Sequence, residues 1–249
     1  MLKEERRNFI MNEVKMRNRV LLTDLAVKLA VSEDTVRRDL KYLDKHGQVK
    51  KVHGGAISNS FHLYHYKEND IYAHESKSII AQKAHSLLKE GQVILMSGGT
   101  TNLELARLLP QDFQATVFTL SLPVAMQLLE HTMIETIFIG GRLSKEAQIS
   151  IGAETVRALS QLKADLCFLG TGHLDADYGL TEIDWEVVQL KKAMIQASKK
   201  IVSLTISEKI NSVQRYKVCE TQGIHTLITE LKPHDPFLEP FRKQGLEIL

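Results

Sequence analysis

The sequence predicts an α/β protein of two parts, a small helical head followed by a larger domain built on a mostly parallel sheet. Two short amphipathic helices and a basic strand occupy residues 22–56. From residue 74 onward, strand and helix patterns alternate, which predicts right-handed crossovers and a sheet covered on both faces. Residues 58–73 show neither period. We therefore expect domains at 1–57 and 74–249, joined by a linker at 58–73.

The first helix of the head is predicted to run from about Asp24 to Leu29. Thr23 is its expected cap, because a threonine hydroxyl can accept an unpaired backbone N–H. Apolar side chains recur on one face at helical spacing. Ala30 and Val31 then form the turn to the next helix.

The second helix is expected to begin after Ser32, whose hydroxyl suits a cap. Val36, Leu40 and Leu43 repeat at helical spacing and mark the buried face. Gly47 ends the helix, since glycine tolerates a positive φ.

A short strand at 48–52 follows, and Gly54 and Gly55 allow the chain to turn back. The pattern is that of a helix-turn-helix with a wing, a module that inserts into the major groove of DNA.

A recognition helix leads into the groove with its N-terminal residues. The side chains expected to contact bases are those of Ser32, Glu33, Thr35 and Arg38. The side chains expected at the phosphate backbone or in the minor groove are those of Arg37, Lys41, Lys50, Lys51 and His53.

Charge is distributed unevenly along the chain. The 249 residues carry a net charge of +2, yet residues 1–60 hold thirteen Lys and Arg against eight Asp and Glu. A solvated basic helix in an ordinary helical domain is the alternative interpretation. A basic head on a mildly acidic body instead favours binding to double-stranded DNA.

Several classes of protein are disfavoured by composition. The N-terminus is charged from residue 3 and lacks the apolar core of a signal peptide. No apolar run approaches the roughly 20 residues that span a bilayer. Cys167 and Cys219 lie far apart, and Cys167 is expected to be buried in a strand. We expect a cytoplasmic protein without a membrane segment.

A metal site is not expected. His62, His65 and His74 match no strong ligand spacing, and no cysteine lies near them. We expect no metal, no cofactor and no catalytic residue, and an aromatic-rich linker is the better interpretation of this stretch.

The second domain begins with a helical pattern at 74–88. The predicted strands are 92–96, 116–120, 134–141, 164–172, 200–206 and 225–229, with a closing strand in 245–249, and the later helices are 102–109, 124–131, 154–162 and 184–198. The apolar face of the 184–198 helix suits either the core or a subunit interface, and the core is the default.

Small and polar residues follow four of these strands. Ligands of parallel sheets bind beyond the carboxyl ends of strands, where glycines admit a ligand and helix N-termini favour anions. The predicted ligand-binding residues are Ser97, Gly98, Gly99, Thr100, Thr101, Gly140, Gly141, Arg142, Gly170, Gly172, Asp175 and Lys209. Each motif also has a plainer reading, as a turn after a strand. Together they suggest a pocket for a small phosphorylated, polyhydroxylated molecule.

The chain resembles the DeoR family of bacterial transcriptional regulators. The head carries DLAVKLAVSEDTVRRDLKYLDKHGQVKKVHGGA, and the second domain carries SGGTT, LELARLL, IGGR, IGAE, GTGHLD, YGLT, LKKAMIQAS and SEK in order. The resemblance implies a domain related to sugar-phosphate isomerases that senses an effector. It also implies a homo-oligomer, a dimer or tetramer, that represses a sugar-catabolism operon and releases DNA when a phosphorylated sugar binds.

Two positions depart from the family pattern. Met96 stands where members often have an aspartate, and Ser207 and Glu208 precede Lys209 where an aspartate is frequent. The first change removes a charge and an acceptor from the implied pocket.

Two alternatives stay open at this level. The second domain could be a sugar-phosphate isomerase carrying a DNA-binding head, with Asp175, Asp177, Glu182 and Lys209 as candidate acid–base groups. The chain could also activate rather than repress, because the sign depends on where the operator lies relative to the promoter.

Overall fold

The computed structural model describes residues 2–17, 19–58 and 71–249, without the side chains of Lys15 and Ser58. It divides into two compact units, Met1–His74 and Glu75–Leu249. Residues 59–70 of the predicted linker, with His62 and His65, lie outside the described residues.

The N-terminal unit is a winged helix-turn-helix, as predicted. Its elements are α1 (Lys3–Arg17), β1 (Arg19–Leu21), α2 (Leu22–Leu29), α3 (Glu33–Lys45), β2 (Val49–Val52) and β3 (Gly55–Ser58). The strands form an antiparallel sheet in the order β1-β3-β2. Ile10, Val14, Leu25, Val36 and Leu40 belong to its buried apolar core. The sequence analysis did not include α1 or β1.

The ends of α3 follow local chemistry. Ser32 caps the helix by accepting the Thr35 N–H, as predicted. Gly47 has φ +68°, and its N–H donates to the Asp44 carbonyl, while the Gln48 N–H donates to the Leu43 carbonyl. This pair of bonds is a Schellman motif, which satisfies carbonyls that the helix end leaves unpaired.

The predicted cap at Thr23 is wrong. Helix α2 begins at Leu22, and its N-cap, Leu21, makes no side-chain hydrogen bond. Strand β1 runs directly into the helix, and the Leu22 N–H donates to the Gly54 carbonyl at 2.8 Å. The wing thus satisfies one of the amides that the start of the helix leaves without an intrahelical partner.

The second unit alternates helices and strands. Its helices are α4 (His74–His85), α5 (Thr100–Arg107), α6 (Leu122–Leu128), α7 (Ala153–Ser160), α8 (Trp185–Gln196) and α9 (Glu239–Lys243). Its strands are β4 (Val93–Met96), β5 (Ala115–Thr119), β6 (Ile134–Phe138), β7 (Arg142–Leu143), β8 (Ser150–Ile151), β9 (Ala164–Gly170), β10 (His173–Asp175), β11 (Gly179–Glu182), β12 (Ser198–Leu204), β13 (Tyr216–Cys219), β14 (Thr226–Ile228) and β15 (Glu247–Ile248).

Seven strands form one sheet in the order β15-β14-β12-β9-β4-β5-β6. Every neighbouring pair in it is parallel, which confirms the predicted fold class. The chain extends from β4 through β5 to β6 on one side, then returns to β9 and extends the other way. The order of strands therefore reverses between β4 and β9, which makes this point the topological switch of the sheet.

Several boundaries differ from the sequence prediction. Helix α5 begins at Thr100 rather than Asn102, because Gly99, at φ +107°, is its N-cap. Helix α8 ends at Gln196, and Ser198 already belongs to β12. The hairpin β7-β8 and the antiparallel sheet β10-β11-β13 were not predicted, since their strands have two to four residues and no clear apolar alternation.

Two kinds of feature are absent from the described residues. None of the helices there combines the length and apolar character needed to cross a membrane. The same residues contain no group of three or more His, Cys, Asp or Glu arranged to hold a metal ion. Cys167 is fully buried, as expected from its strand pattern.

We expect Gly55→Ala to destabilise the N-terminal unit more than Gly54→Ala does. A Cβ at Gly55 would collide with the Val20 carbonyl oxygen of the paired strand, whereas a Cβ at Gly54 meets nothing within 4 Å. Gly54→Ala should lower the free energy of unfolding only by the cost of an alanine at φ +78°, about 1–2 kcal/mol. Urea unfolding of the full chain measures both, and equal losses would contradict the clash at Gly55.

Candidate functional sites

The N-terminal half of α3 is exposed. Ser32, Glu33, Arg37 and Arg38 are exposed and Thr35 is half-buried. The hydroxyls of Ser32 and Thr35 lie 3.0 Å apart, and the Ser32 oxygen also accepts the Thr35 N–H at 3.3 Å. These two hydroxyls therefore already serve the helix cap.

The two neighbouring arginines of α3 differ in their partners. Arg37 is ion-paired to Asp34 and lies 4.0 Å from a Glu33 oxygen. The side chains of Arg38 and Lys41 form no hydrogen bond or ion pair with any residue that the structure describes. Arg38 can bind another molecule without first leaving a carboxylate, whereas Arg37 cannot.

The wing presents Lys50, Lys51 and His53 as exposed residues. The backbone N–H of Lys51 donates to the Asp44 carboxylate at 2.9 Å, which ties β2 to the end of α3. The helix and the wing are thereby fixed relative to each other. The structure brings all nine predicted DNA-contacting residues into one small unit.

A buried ion cluster that the sequence did not predict joins α3 to α1. Asp39 is only 2% exposed, and its two oxygens accept from Arg6 at 2.6 Å and Arg7 at 3.0 Å, both on α1. The Arg7 guanidinium also lies 3.4 Å from the centre of the Tyr42 ring. The helical period could have predicted the burial of Asp39, because this residue lies three positions after Val36 and therefore on the same buried face of α3.

In the second unit, the loop after β4 contacts the end of β9. The Ser97 hydroxyl accepts from the Gly170 N–H at 2.7 Å and from the Asn102 amide at 3.1 Å. That amide also donates to the Gly98 carbonyl at 3.3 Å. A Cβ at Gly170 would lie 2.6 Å from the Gly98 oxygen. The structure therefore brings Ser97, Gly98 and Gly170 together, as the strand-end pattern suggested.

The start of α5 supplies backbone donors at this point. The first intrahelical bond runs from the Leu103 N–H to the Gly99 carbonyl. The amides of Thr100, Thr101 and Asn102 precede it, so they have no acceptor within the helix. Together with the positive end of the helix dipole, such amides favour an anion.

Two lysines approach the same carboxyl-terminal edge of the parallel sheet. The Lys209 ammonium lies 3.3 Å from the Thr171 carbonyl, so the loop after β12 reaches the loop after β9. Lys77 of α4 was not among the predicted site residues and is only 6% exposed. Burial and, to a smaller extent, the charge of Lys209 together lower the pKa of Lys77 to about 7, against the opposing effect of Glu104 and Glu208.

A third lysine contacts the end of β9. Lys191 of α8 donates to the Gly170 carbonyl and is ion-paired to Glu182. A Cβ at Gly172 would collide with the Glu182 carboxylate. The absence of a side chain at Gly172 therefore leaves room for this largely buried ion pair.

Other predicted residues lie away from the switch point or have internal partners. One Asp175 oxygen accepts the N–H groups of Asp177 and Tyr178 at 3.0 and 2.9 Å, within the turn between β10 and β11. Gly140 and Gly141 follow the edge strand β6, where the Thr155 hydroxyl donates to the Gly140 carbonyl.

Arg142 belongs to the same edge as Gly140 and Gly141. Its guanidinium is ion-paired to Glu186 and largely exposed.

The two departures from the family pattern have distinct surroundings. Met96 is 1% exposed, and its carbonyl accepts the Thr119 hydroxyl at 2.9 Å. The backbone N–H and hydroxyl of Ser207 both donate to the Glu230 carboxylate. Glu230 thus brings a carboxylate to the loop in which Ser207 replaces the frequent aspartate.

Comparison with known proteins gives two family matches. A model described as the DeoR-like helix-turn-helix domain matches residues 6–61. A model described as the DeoR C-terminal sensor domain matches residues 72–231.

Similar proteins cover nearly the whole chain. The HTH-type transcriptional repressor GlcR of Bacillus subtilis is 30% identical over 100% of this chain and 96% of its own. The HTH-type transcriptional regulator GolR of Listeria innocua is 28% identical over 98% and 97%. A putative aga operon transcriptional repressor of Escherichia coli O157:H7 is 28% identical over 98% and 93%. These relatives favour the regulator over the isomerase alternative.

Solved structures resemble the chain more distantly. Ribose 5-phosphate isomerase A from Methanocaldococcus jannaschii has a TM-score of 0.39 and 18% identity, covering 54% of this chain and 53% of its own. A probable sor operon regulator from Shigella flexneri has a TM-score of 0.39 and 12% identity, covering 68% and 85%.

We expect Asp39→Asn to lower the free energy of unfolding by about 3–5 kcal/mol, because it leaves two guanidinium groups of α1 without their buried counter-charge. Asp34→Asn is the matched control on the same helix, since the Asp34–Arg37 pair is exposed and is worth about 1 kcal/mol or less. Urea unfolding of the full chain compares them. Similar losses in both variants would show that Asp39 does not hold α1 to α3.

Proposed function

The chain belongs to the DeoR family of transcriptional regulators and is a DNA-binding regulator, and we propose that it represses a sugar-catabolism operon. In this proposal a phosphorylated sugar or a related metabolite binds the second unit and releases double-stranded operator DNA. Two relatives are named as repressors, and one of these is a putative aga operon repressor. Those names support the proposed sign and the proposed class of genes.

The observation that carries the effector proposal is the position of the loop contacts at the topological switch. Ser97 after β4 is hydrogen-bonded to Gly170 at the end of β9, and these strands are the pair between which the strand order reverses. Ligands of open parallel sheets bind in the crevice at this point.

We assign the ligand-binding residues to two groups. The amides that follow Gly98 and Gly99, together with the hydroxyls of Thr100 and Thr101, suit a phosphate at the start of α5. Lys209 supplies a positive charge from the loop after β12. The other proposed residues, which lie away from the switch point or have partners within the protein, are Gly140, Gly141, Arg142, Gly172 and Asp175.

For the head, we propose that Ser32, Glu33, Thr35 and Arg38 contact bases and that Arg37, Lys41, Lys50, Lys51 and His53 contact the backbone. The protein acts as a homo-oligomer, a dimer or tetramer. Two α3 helices then enter major grooves about 34 Å, one helical turn, or a multiple of it apart. The proposed organisation is a DNA-binding domain at 1–57, a linker at 58–73 and an effector domain at 74–249, in a cytoplasmic protein.

Release of DNA requires only a modest coupling between the two sites. A coupling free energy of about 1–3 kcal/mol changes the affinity for DNA about 5- to 150-fold. Effector binding would supply this energy by favouring an arrangement of the oligomer in which the two recognition helices no longer match the operator.

We expect Arg38→Ala and Lys51→Ala to weaken DNA binding in different ways. Arg38→Ala should cost about 1–3 kcal/mol on the preferred duplex and little on unrelated DNA, if Arg38 pairs with a guanine. Lys51→Ala should weaken binding to all duplexes and reduce the salt slope by about one.

The assay is fluorescence anisotropy at several salt concentrations, with a duplex selected from a random library and a scrambled one. Identical behaviour of the two variants would refute the division between base and backbone contacts.

We expect Lys209→Ala to abolish the release of DNA by a phosphorylated sugar while leaving the affinity for DNA unchanged. The reason is that Lys209 lies at the effector site, whereas the DNA contacts lie in the other unit. A panel of sugar phosphates is screened by thermal shift, since a ligand stabilises the folded state by mass action. The binders are then tested for release of the selected duplex.

The matched control for Lys209 is the exposed Lys232→Ala. Loss of DNA binding in Lys209→Ala would instead show that this lysine is structural. A wild-type protein that holds its duplex equally with every sugar phosphate would overturn the effector proposal.

A further inference from the structure

His173 is a buried histidine at the start of β10 that was not among the predicted site residues. It is only 4% exposed and lies opposite Thr181 in the antiparallel pair β10-β11. A buried imidazole is costly unless its nitrogens are hydrogen-bonded. Both ring nitrogens contact the segment 205–215, which joins β12 to β13 and carries Lys209.

A chain of hydrogen bonds runs from His173 to the backbone of Lys209. The His173 Nδ1 lies 2.6 Å from the Ser212 hydroxyl, and this hydroxyl donates to the Lys209 carbonyl at 2.6 Å. The Lys209 ammonium in turn donates to the Thr171 carbonyl at 3.3 Å. Because Thr171 lies two residues before His173, these bonds close a ring that joins the loop after β9 to the segment 205–215.

Backbone donors anchor the same segment to β10 and β11. The Ser212 N–H donates to the Leu174 carbonyl at 3.3 Å, and the Gln214 N–H donates to the Thr181 hydroxyl at 2.8 Å. These two bonds hold the chain beyond Lys209. The imidazole ring, by contrast, reaches the carbonyl of Lys209 itself through the serine hydroxyl.

The partners of the His173 ring determine where it carries its proton. The Ser212 hydroxyl has one proton, which it donates to the Lys209 carbonyl. The same oxygen must therefore accept from the Nδ1–H of His173. The amide nitrogen of Gln214 lies 3.4 Å from the His173 Nε2, where it can donate to an unprotonated nitrogen. The contacts thus describe a neutral ring with its proton on Nδ1.

We propose that His173 is a positioning residue of the effector site, which holds Lys209 in place for the anionic group of the effector through the hydroxyl of Ser212. The inference rests on the proposed function, because it takes Lys209 to bind that anion. A lysine side chain is long and flexible, so fixing the backbone that carries it lowers the entropy that is lost on binding. Loss of the His173 ring should therefore weaken anion binding and leave the DNA-contacting residues of the other unit unchanged.

The position of the ring proton is a test that needs no ligand. Heteronuclear NMR of the full chain distinguishes protonated from unprotonated imidazole nitrogens, and the signals that disappear in His173→Leu identify this ring. We expect the proton on Nδ1. His225 is an internal reference of the opposite kind, because its Nδ1 accepts the Ile201 N–H at 3.1 Å and its proton therefore lies on Nε2. Absence of a proton from the His173 Nδ1 overturns the proposed chain, because the Ser212 oxygen would then lack its donor.

Inorganic phosphate is the probe for the anion site. Its dissociation constants come from thermal-shift titrations, in which each variant is compared with its own ligand-free state. His173→Leu should bind phosphate about 2- to 10-fold more weakly than the wild type, the effect of losing one hydrogen bond. His173→Asn should restore the affinity, because an asparagine amide nitrogen can donate from nearly the position of Nδ1.

Further variants separate positioning from a general loss of stability. When Lys209→Ala is already present, His173→Leu should not weaken phosphate binding further, because the ring acts through this lysine. His225→Leu is the matched control and should keep wild-type affinity, since it removes a histidine hydrogen bond at the amino-terminal edge of the sheet, whereas Lys209 follows the carboxyl end of β12. If His173→Leu does not fold, Ser212→Ala breaks the same chain and takes its place.

The outcomes separate this inference from the proposed function. A folded His173→Leu with wild-type affinity for phosphate overturns the role of His173, and so does a loss of affinity that His173→Asn shares. The effector proposal survives in that case if a sugar phosphate still releases DNA and Lys209→Ala prevents it. Absence of phosphate binding to the wild type overturns the inference, and the DNA-release assay then decides the proposed function by itself.

Discussion

The hydrogen bond from the Gly170 N–H to the Ser97 hydroxyl joins β4 and β9 at the point where the order of strands reverses. This contact fixes the loop that opens α5 against the end of β9. Asn102 braces the same hydroxyl, and Lys191 holds the Gly170 carbonyl from the other side. In the proposed effector site, the backbone donors at the start of α5 are thereby arranged in advance, which lowers the entropic cost of binding an anion.

Close approach of neighbouring atoms, rather than freedom of φ, explains Gly170 and Gly172. A side chain at Gly170 would meet the Gly98 carbonyl, and one at Gly172 would meet the Glu182 carboxylate. Glu182 is in turn ion-paired to Lys191. Gly172 therefore leaves room for a buried ion pair, and Gly170 permits the contact with the loop after β4. Removing one partner of such a pair would leave an uncompensated buried charge, which is far more costly than losing an exposed pair.

Buried carboxylates hold the N-terminal unit together in a similar way. Asp39 joins α3 to two arginines of α1, and Glu13 of α1 accepts from Lys28 of α2 at 2.7 Å. Much of the positive charge of the head is therefore structural. The side chains left for DNA are fewer than a count of Lys and Arg suggests, and Arg38, Lys41 and the wing lysines are the clearest among them.

Local sequence patterns determined the helix-turn-helix, the Ser32 cap, the Gly47 terminus, the alternation of strands and helices, and the polar loops at strand ends. These features depend on caps, turn residues and apolar periods within a few residues of each other. Tertiary structure decided which loops meet, because strand order is set by contacts between residues far apart in the chain. It also placed Lys77 and Asp39 inside, engaged Asp175 and Arg142 with nearby partners, and paired β1 with the wing. Burial and long-range ion pairing control those outcomes. No local sequence pattern shows which distant residue will be the partner of a given side chain or strand.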